Sequence, residues 1–215
     1  MIGTVAPARR RGLAAEVADI LRDAIFSGTY APGASLREVE LSSALEVSRG
    51  PVREALSLLE REGLVQSVWH RGTAVTTLSP DDIAELHTLR GALEELAVTQ
   101  VVRSGADIAA VDAAVLTMER ARTEHEMLRA DIEFHDAVYT AAGHSRLLVA
   151  WQAIRSQVYL LLLTRIGVDA RHYLTDLPAE HRELADALRS KDVAAAVALF
   201  ATHREHALQV IRAVR

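Results

Sequence analysis

Apolar residues recur at helical spacing in three successive segments that together span residues 11–63. The first segment is predicted to be a helix that ends near Gly28, because glycine favours the position just after a helix, and Pro32 and Gly33 then turn the chain. Its predicted apolar stripe consists of Leu13, Val17, Ile20, Leu21 and Ala24. We expect this stripe to pack behind the two helices that follow.

The second and third segments, within residues 36–63, are predicted to be two helices joined by a tight turn at residues 46–48. Ser48 suits the N-cap position, so the second helix should begin at about Arg49. Arg49 and Arg53 then lie near the N-terminal end of this helix, on the face opposite its apolar residues. A helix-turn-helix protein places its base and phosphate contacts on that surface.

Two short runs with strand character, at residues 64–69 and 73–76, follow the second helix of the pair. His70, Arg71 and Gly72 lie between the two runs. The pattern predicts a β-hairpin, and its tip would be a wing beside the helix-turn-helix.

The run PGASLREVELSSALEVSRGPVREALSLLEREGLV, followed by RGTAV, closely resembles the winged helix-turn-helix of GntR-family bacterial transcription regulators of the FadR subfamily. The resemblance covers residues 11–76 and implies binding to double-stranded operator DNA. Val39 stands where the family usually has an arginine, and whether Arg37 replaces that arginine is left open. The predicted DNA-binding residues are Arg37, Ser48, Arg49, Arg53, His70, Arg71 and Gly72.

A second domain is predicted to begin at about residue 79, where Ser79 can cap a helix and Pro80 suits its first position. From there nearly the whole chain has helical periodicity. The predicted helices are 81–103, 106–122, 126–142, 145–166, 178–189 and 191–213. The fold class is therefore mainly α, with a flexible arm at residues 1–10, a winged helix-turn-helix at 11–78, and an antiparallel bundle of about six helices at 79–215.

The composition excludes several kinds of protein. Half of the 215 residues are apolar, which is enough for real cores, and the absence of cysteine excludes disulfides and thiolate metal sites. No apolar run approaches the length of a bilayer span, so we expect a cytoplasmic protein with no membrane partner. Residues 1–79 contain nine arginines and nine acidic residues, and this balance by itself does not favour DNA binding.

Polar residues on apolar helix faces form the second candidate site. Asp131 and His135 are four residues apart on one predicted helix, and His181 and His203 lie in the inward stripes of two others. If these side chains converge, three imidazoles and a carboxylate would suit a divalent metal ion, with Zn²⁺ as the first choice and Ni²⁺ or Mn²⁺ as alternatives. The alternative is that each histidine is separately hydrogen-bonded in the core or lies at the surface.

The resemblance favours the metal site. The C-terminal FCD-type domain of the FadR subfamily often carries an Asp-x-x-x-His pair, a later histidine after a glutamate, and a last histidine 22 residues further on. Asp131, His135, His181 and His203 match this pattern in type, order and spacing. His206 competes with His203 for the last position, and the interval of 22 residues favours His203.

Candidate effector residues lie in the same domain. Arg90 stands where the subfamily commonly has an arginine near the effector, and it could bind a carboxylate in bidentate fashion. The alternative is a surface arginine paired with Glu94 at i+4. Gln152 and Arg155 are further candidates.

Taken together, the two motif sets predict a transcription regulator, most simply a repressor, that works as a homodimer on a pseudo-palindromic operator and responds to a small carboxylate. A metal-dependent enzyme that uses the three histidines and the aspartate is the alternative, although the zincin motif His-Glu-x-x-His is absent. A helical scaffold protein would leave the wing unexplained.

Overall fold

The computed structural model describes residues 11–68, 72–164, 166 and 170–213, and the chain divides into two units between Thr77 and Leu78. The predictions for the arm at 1–10 and for His70 and Arg71 therefore lie outside the described residues. The elements of the first unit are α1 (Arg11–Phe26), β1 (Ser35–Leu36), α2 (Glu38–Ala44), α3 (Arg49–Arg61), β2 (Val65–Val68) and β3 (Gly72–Val75).

Helix α1 packs on α3, but not through the whole predicted stripe. Leu13 and Ile20 are 46% and 45% exposed, so their assignment to the buried face is wrong. The rotation of the helix is consistent with an ion pair in which the Arg22 guanidinium donates to both carboxylate oxygens of Glu62, at 2.9 and 2.6 Å, just beyond the end of α3. The buried residues of α1 are Ala14, Val17, Ala18, Leu21, Ile25 and Phe26.

The helix-turn-helix has the predicted boundaries. Helix α3 begins at Arg49, and Ser48 is its N-cap residue with an extended backbone, although its side chain makes no capping hydrogen bond. The turn includes Glu46, whose φ of 54° lies in the left-handed region. The buried face of α3 consists of Val52, Ala55, Leu56 and Leu59, which leaves the opposite face to solvent.

The predicted wing is present as an antiparallel β2–β3 hairpin, in which Val65 is opposite Val75 and Val68 is opposite Gly72. A third strand, β1, pairs with the other edge of β3, so the sheet order is β1-β3-β2. Strand β1 has two residues, which are too few to show an alternating pattern of apolar and polar positions. For this reason the sequence predicted a wing of two strands.

The second unit contains α4 (Pro80–Ser104), α5 (Ala109–Arg120), α6 (Glu124–Ala141), α7 (Ser145–Leu163), α8 (Ala170–Thr175), α9 (Leu177–Arg189) and α10 (Val193–Ala213). Helix α4 starts as predicted, because Ser79 and Asp82 form a reciprocal capping box and Pro80 follows the cap. None of the described helices is both long and apolar enough to cross a membrane.

The described part of this unit has seven helices rather than the six predicted. The extra helix, α8, lies in residues 167–178, which were predicted as a break between helices. Six residues span less than two turns and show no clear period, so this helix depends on tertiary contacts. Tyr173 is 3% exposed, and α8 packs on α6 and α9.

Helix α6 is central to the bundle and packs on α4, α5, α7 and α8. Tyr139 on α6 stacks on Trp151 of α7, with ring centroids 4.5 Å apart and planes at 12°. Because α6 has neighbours on several sides, its polar residues Asp131 and His135 are buried along with its apolar residues.

The orientation of α1 can be tested with two neighbouring aliphatic residues. Leu21 is 2% exposed, so Leu21→Ala is expected to lower the free energy of unfolding of the first unit by about 2–5 kcal/mol. Ile20→Ala is the matched control and should change it by less than about 0.5 kcal/mol. Urea denaturation followed by circular dichroism measures both, and equal losses would contradict the described orientation.

Candidate metal centre and DNA-binding helix

Four polar side chains meet in the interior of the helical unit: Asp131 and His135 from α6, His181 from α9 and His203 from α10. One donor atom from each lies within 4.8 Å of all the others. The Asp131 Oδ1 atom is 3.0 Å from Nε2 of His181 and 3.4 Å from Nε2 of His135. Asp131, His135 and His181 are at most 2% exposed, so this is an internal cluster.

Local structure explains how the helices present these side chains. Asp131 and His135 are one helical turn apart, so they lie on the same face of α6. His181 lies in the second turn of α9, whose first residues Leu177 and Pro178 are buried. His203 follows the buried Phe200 by three residues on α10. The structure thus brings together the four residues that the sequence named as candidate metal ligands.

Each imidazole turns its Nδ1 atom away from the cluster. Nδ1 of His181 donates to the backbone oxygen of Leu177 at 3.0 Å, and Nδ1 of His203 bonds to Oε2 of Glu180 at 3.1 Å. Nδ1 of His135 lies 3.3 Å from Oε1 of Glu94, although the two atoms are not aligned as a hydrogen bond. The Nε2 atoms are thus the nitrogens available to a shared ligand.

The contact between His181 and Asp131 requires a cation or a proton between the two side chains. Because Nδ1 of His181 donates to a carbonyl, Nε2 of the neutral ring carries a lone pair. That lone pair faces a carboxylate oxygen at 3.0 Å, and two acceptors this close in the core repel one another. A proton or a metal cation must therefore lie between them.

The donor set fits a metal ion. Burial lowers the pKa of His203 to about 4, against the opposing effect of its bond to Glu180, so this ring is neutral at pH 7. Burial raises the pKa of Asp131, but its close contacts with the imidazoles of His135 and His181 outweigh that effect and hold this pKa well below the usual range. A carboxylate and neutral imidazoles are ligands that Zn²⁺, Ni²⁺ and Mn²⁺ accept.

A buried charged group from α4 adjoins the cluster. Arg90 is 5% exposed, and its Nη2 atom lies 2.8 Å from Nε2 of His135 and 3.5 Å from Oε1 of Glu94. The i+4 contact with Glu94 thus exists, but in the interior rather than on the surface. Since guanidinium has no acceptor, Arg90 bonds to the Nε2 lone pair of His135 that a metal ion would also require.

Glu94 is ionised although it is only 1% exposed. Burial raises its pKa, but the charge of Arg90, the contact with His135 and the charge of Arg204 together lower it below the usual range. Arg204 of α10 donates from Nη1 to Oε2 of Glu94 at 2.6 Å. The cluster therefore continues into a buried ionic group that joins α4 to α10.

Several buried donors near this group have no acceptor among the described residues: Nε of Arg90, Nε of Arg204 and the hydroxyl of Tyr139. The charges of Glu94, Arg90 and Arg204 all act on Tyr139, whose pKa is raised first by burial and then by Glu94. An unpaired buried donor costs about 1–3 kcal/mol. These unpaired N–H and O–H groups are therefore available to donate hydrogen bonds to a ligand with several acceptor atoms.

A small cavity borders the same arginines. It is lined by His87, Arg90 and Arg204 together with apolar side chains of α4, α7 and α10, and it leaves about 10 Å³ for the centre of a water-sized molecule. That is room for about one water molecule. A larger ligand can enter only if the lining side chains move.

The other predicted effector residues are placed differently. Gln152 is exposed. Arg155 binds Asp136 through Nε at 2.8 Å and Nη2 at 2.7 Å, and Trp151 donates to the same carboxylate at 2.7 Å. His206, the competitor of His203, is 44% exposed and lies outside the four-residue group.

Sequence reasoning missed the roles of Glu94, Arg204 and Tyr139. Glu94 had one local signal, its i+4 spacing from Arg90, but that spacing does not reveal burial. Arg204 simply follows His203 in the sequence and had no signal of its own.

The candidate DNA-binding surface is the exposed face of α3. Ser48, Arg49 and Arg53 are all exposed there, opposite the buried face. Arg37 precedes α2 and pairs with Glu40 at 3.1 Å. Gly72 opens β3 with a φ of 81°, a backbone conformation that favours glycine.

Comparisons with known proteins agree with this two-unit arrangement. Residues 13–75 match the family described as bacterial regulatory proteins, gntR family, and residues 85–206 match the FCD domain. A probable D-xylose utilization operon transcriptional repressor of Paenarthrobacter nicotinovorans is 31% identical over 85% of this chain and 81% of its own length.

Two further relatives extend the comparison. The gluconate operon transcriptional repressor of Bacillus licheniformis is 26% identical over 85% of this chain and 78% of its own length. The crystal structure of a GntR transcriptional regulator from Rhodococcus sp. RHA1 covers 94% of this chain and 99% of that protein, with a TM-score of 0.84 and 30% identity.

Proposed function

Because this chain belongs to the GntR family of bacterial regulatory proteins and carries an FCD domain, it is a DNA-binding transcription regulator and not an enzyme, and we propose that a metal-bound carboxylate controls it. The FCD domain supports assignment to the FadR subfamily. The observation that carries the proposal is the convergence of three imidazoles and one carboxylate beside unpaired buried donors.

The DNA contacts of this proposal come from α3 and the wing. Arg49 and Arg53 would contact bases and phosphates in the major groove, with Ser48 and Arg37 on the backbone. His70, Arg71 and Gly72 would act at the wing, where glycine allows a close approach. One such unit contacts little DNA, so we propose a cytoplasmic homodimer on a pseudo-palindromic operator.

The metal would be held by Asp131, His135, His181 and His203, with Zn²⁺ as the first choice and Ni²⁺ or Mn²⁺ as alternatives. When bound, such an ion supplies a positive centre with open coordination positions. The Nδ1 bonds of His181 and His203 support this assignment, because they orient Nε2 toward the shared position.

The effector would be a small carboxylate held by the metal and by Arg90. The unpaired Nε of Arg90 and the Tyr139 hydroxyl support an acceptor-rich ligand, and the small cavity beside Arg90 marks where side chains would have to make room. Gln152 and Arg155 are weaker candidates, because Gln152 is exposed and Arg155 is occupied by Asp136.

Control of transcription requires the effector to bind one functional state more tightly than another. A coupling of about 1–3 kcal/mol would change operator affinity by roughly 5- to 150-fold. We propose repression in the absence of the effector and release of the operator when it binds.

The DNA-binding assignment is tested by Arg49→Ala and Arg53→Ala. Each is expected to weaken operator binding by about 1–3 kcal/mol if its arginine makes a bidentate base contact. Arg61→Ala, an exposed arginine in the last turn of the same helix, is the control and should have a smaller effect. Fluorescence anisotropy with the upstream region of the gene measures this, and unchanged binding in both variants would refute the assignment.

The metal assignment is tested by His135→Ala and His181→Ala. Both should lose the bound metal and the response to effector while retaining operator binding, because neither residue lies in the DNA-binding unit. His206→Ala is the matched control and should retain both the bound metal and the response to effector. Elemental analysis and anisotropy give the two readouts, and a metal-free variant that still responds to effector would leave the cluster without a regulatory role.

The contact between Arg90 and His135 predicts that replacing Arg90 raises metal affinity, whereas replacing a histidine of the cluster abolishes metal binding. Arg90→Met should raise the affinity for Zn²⁺ by roughly tenfold, since it removes both a nearby positive charge and the group bound to Nε2 of His135. The response to a carboxylate effector should fall in the same variant. Competition with a chromophoric chelator measures Zn²⁺ affinity, with Arg103→Met on the exposed face of α4 as the control. A loss of Zn²⁺ affinity in Arg90→Met would mean that Arg90 assists the ion.

A further inference from the structure

Glu94 links one of the proposed metal ligands to a neighbouring helix. Its Oε1 atom is 3.3 Å from Nδ1 of His135 on α6, and its Oε2 atom accepts from Nη1 of Arg204 on α10 at 2.6 Å. Arg204 directly follows His203 in the sequence. One carboxylate on α4 therefore connects two of the three helices that carry the cluster.

The three imidazoles differ in how their Nδ1 atoms are held. His181 has the Leu177 carbonyl and His203 has the Glu180 carboxylate. For His135 the nearest acceptor is Glu94, and Nδ1 has no other partner among the described residues. Within the part of the chain that the structure describes, this ring is hydrogen-bonded at its other end, where Arg90 donates to Nε2. Glu94 is thus the acceptor available to Nδ1 of His135, as the Leu177 carbonyl is to His181 and the Glu180 carboxylate is to His203.

Glu94 itself needs a fixed position, and Gly91 helps to provide it. A Cβ atom at position 91 would lie 2.9 Å from Nη2 and 3.1 Å from Cζ of Arg204, so the guanidinium occupies the space that a side chain would take. Glycine inside a helix costs about 1 kcal/mol relative to alanine. Its presence in α4 allows Arg204 to lie against the helix one turn from Glu94.

We propose that Glu94, held by Arg204 against Gly91, is the positioning residue that orients His135 so that its Nε2 atom faces the metal ion. Metal-bound histidines commonly donate their second N–H to a carboxylate or carbonyl, and loss of such a partner typically costs roughly 10- to 100-fold in metal affinity. The inference rests on the proposed metal site and adds three residues outside the ligand set. It also makes metal affinity depend on a contact between α4 and α10.

The test uses the full-length protein and measures Zn²⁺ affinity by chelator competition. Glu94→Gln keeps the shape of the side chain and should weaken binding by roughly 10- to 100-fold. Arg204→Gln and Gly91→Ala should each weaken it by a smaller factor, because Glu94 loses its anchor. Glu95→Gln and Arg103→Gln remove exposed charges from the same helix and should stay within about twofold of the unaltered protein.

A second readout separates orientation from general damage to the fold. The imidazole ¹⁵N resonances of the Zn²⁺-loaded protein report which nitrogen of each ring carries hydrogen. Glu94→Gln should shift the Nδ1 resonance of His135 and leave those of His181 and His203 near their original positions. A merely structural role for Glu94 would disturb all three rings together, and that outcome would overturn the inference.

The outcomes are distinguishable from failure of the proposed function. If the unaltered protein binds no divalent ion, the metal proposal and this inference both fail. If it binds Zn²⁺ and Glu94→Gln binds equally well with the His135 resonance unchanged, only the inference fails. Should Glu94→Gln not fold, Gly91→Ala takes its place in the test, because the three atoms nearest to its added methyl group all belong to the flexible side chain of Arg204. Equal affinity in a folded Gly91→Ala protein with an unchanged His135 resonance would overturn the inference.

Discussion

The interior of the helical unit is organised around one close contact, in which a carboxylate oxygen of Asp131 lies 3.0 Å from Nε2 of His181. The other nitrogen of that ring already donates to the backbone of its own helix, so the contact requires a positive charge between the two groups. Helices α6 and α9 meet at this point. A bound ion would therefore stabilise the folded unit as well as complete a ligand site, because it binds only where the helices have assembled.

The charges around this contact are arranged in two layers. Asp131 and the histidines form the inner layer, and Arg90, Glu94 and Arg204 form a second layer toward α4 and α10. Two arginines face a single carboxylate in the outer layer, and both retain an unpaired Nε donor. Such an excess of buried donors favours a bound anion over an apolar molecule. The two layers together suit a cation and an anion bound side by side.

The DNA-binding unit has no net positive charge to attract DNA, since its sequence carries as many acidic residues as arginines. Several acidic residues have structural partners instead of opposing the DNA. Glu62 binds Arg22, and Glu60 accepts from the backbone and hydroxyl of Ser67, which ties α3 to β2. Arg49 and Arg53 remain exposed on the opposite face from the core. Placement, rather than net charge, makes this surface suitable for a polyanion.

The sequence by itself determined what depends on neighbours along the chain. The start of α3, the capping box of α4, the hairpin and the shared face of Asp131 and His135 all follow from residues within about one helical turn or one strand pair. The inward stripes of their helices made His181 and His203 candidates, and the resemblance to the FadR subfamily selected them for the group.

Tertiary structure decided the features that depend on how elements rotate and pack. Leu13 and Ile20 fit the periodicity of α1 but face outward, and α8 is too short to have a period at all. Arg90 and Glu94 have the spacing of an ordinary surface pair, yet they are buried because α6 and α10 cover them. A helix turns by about 100° per residue, so a small rotation changes which side chains meet a neighbour. Local spacing carries no information about that rotation, and only the packed helices fix it.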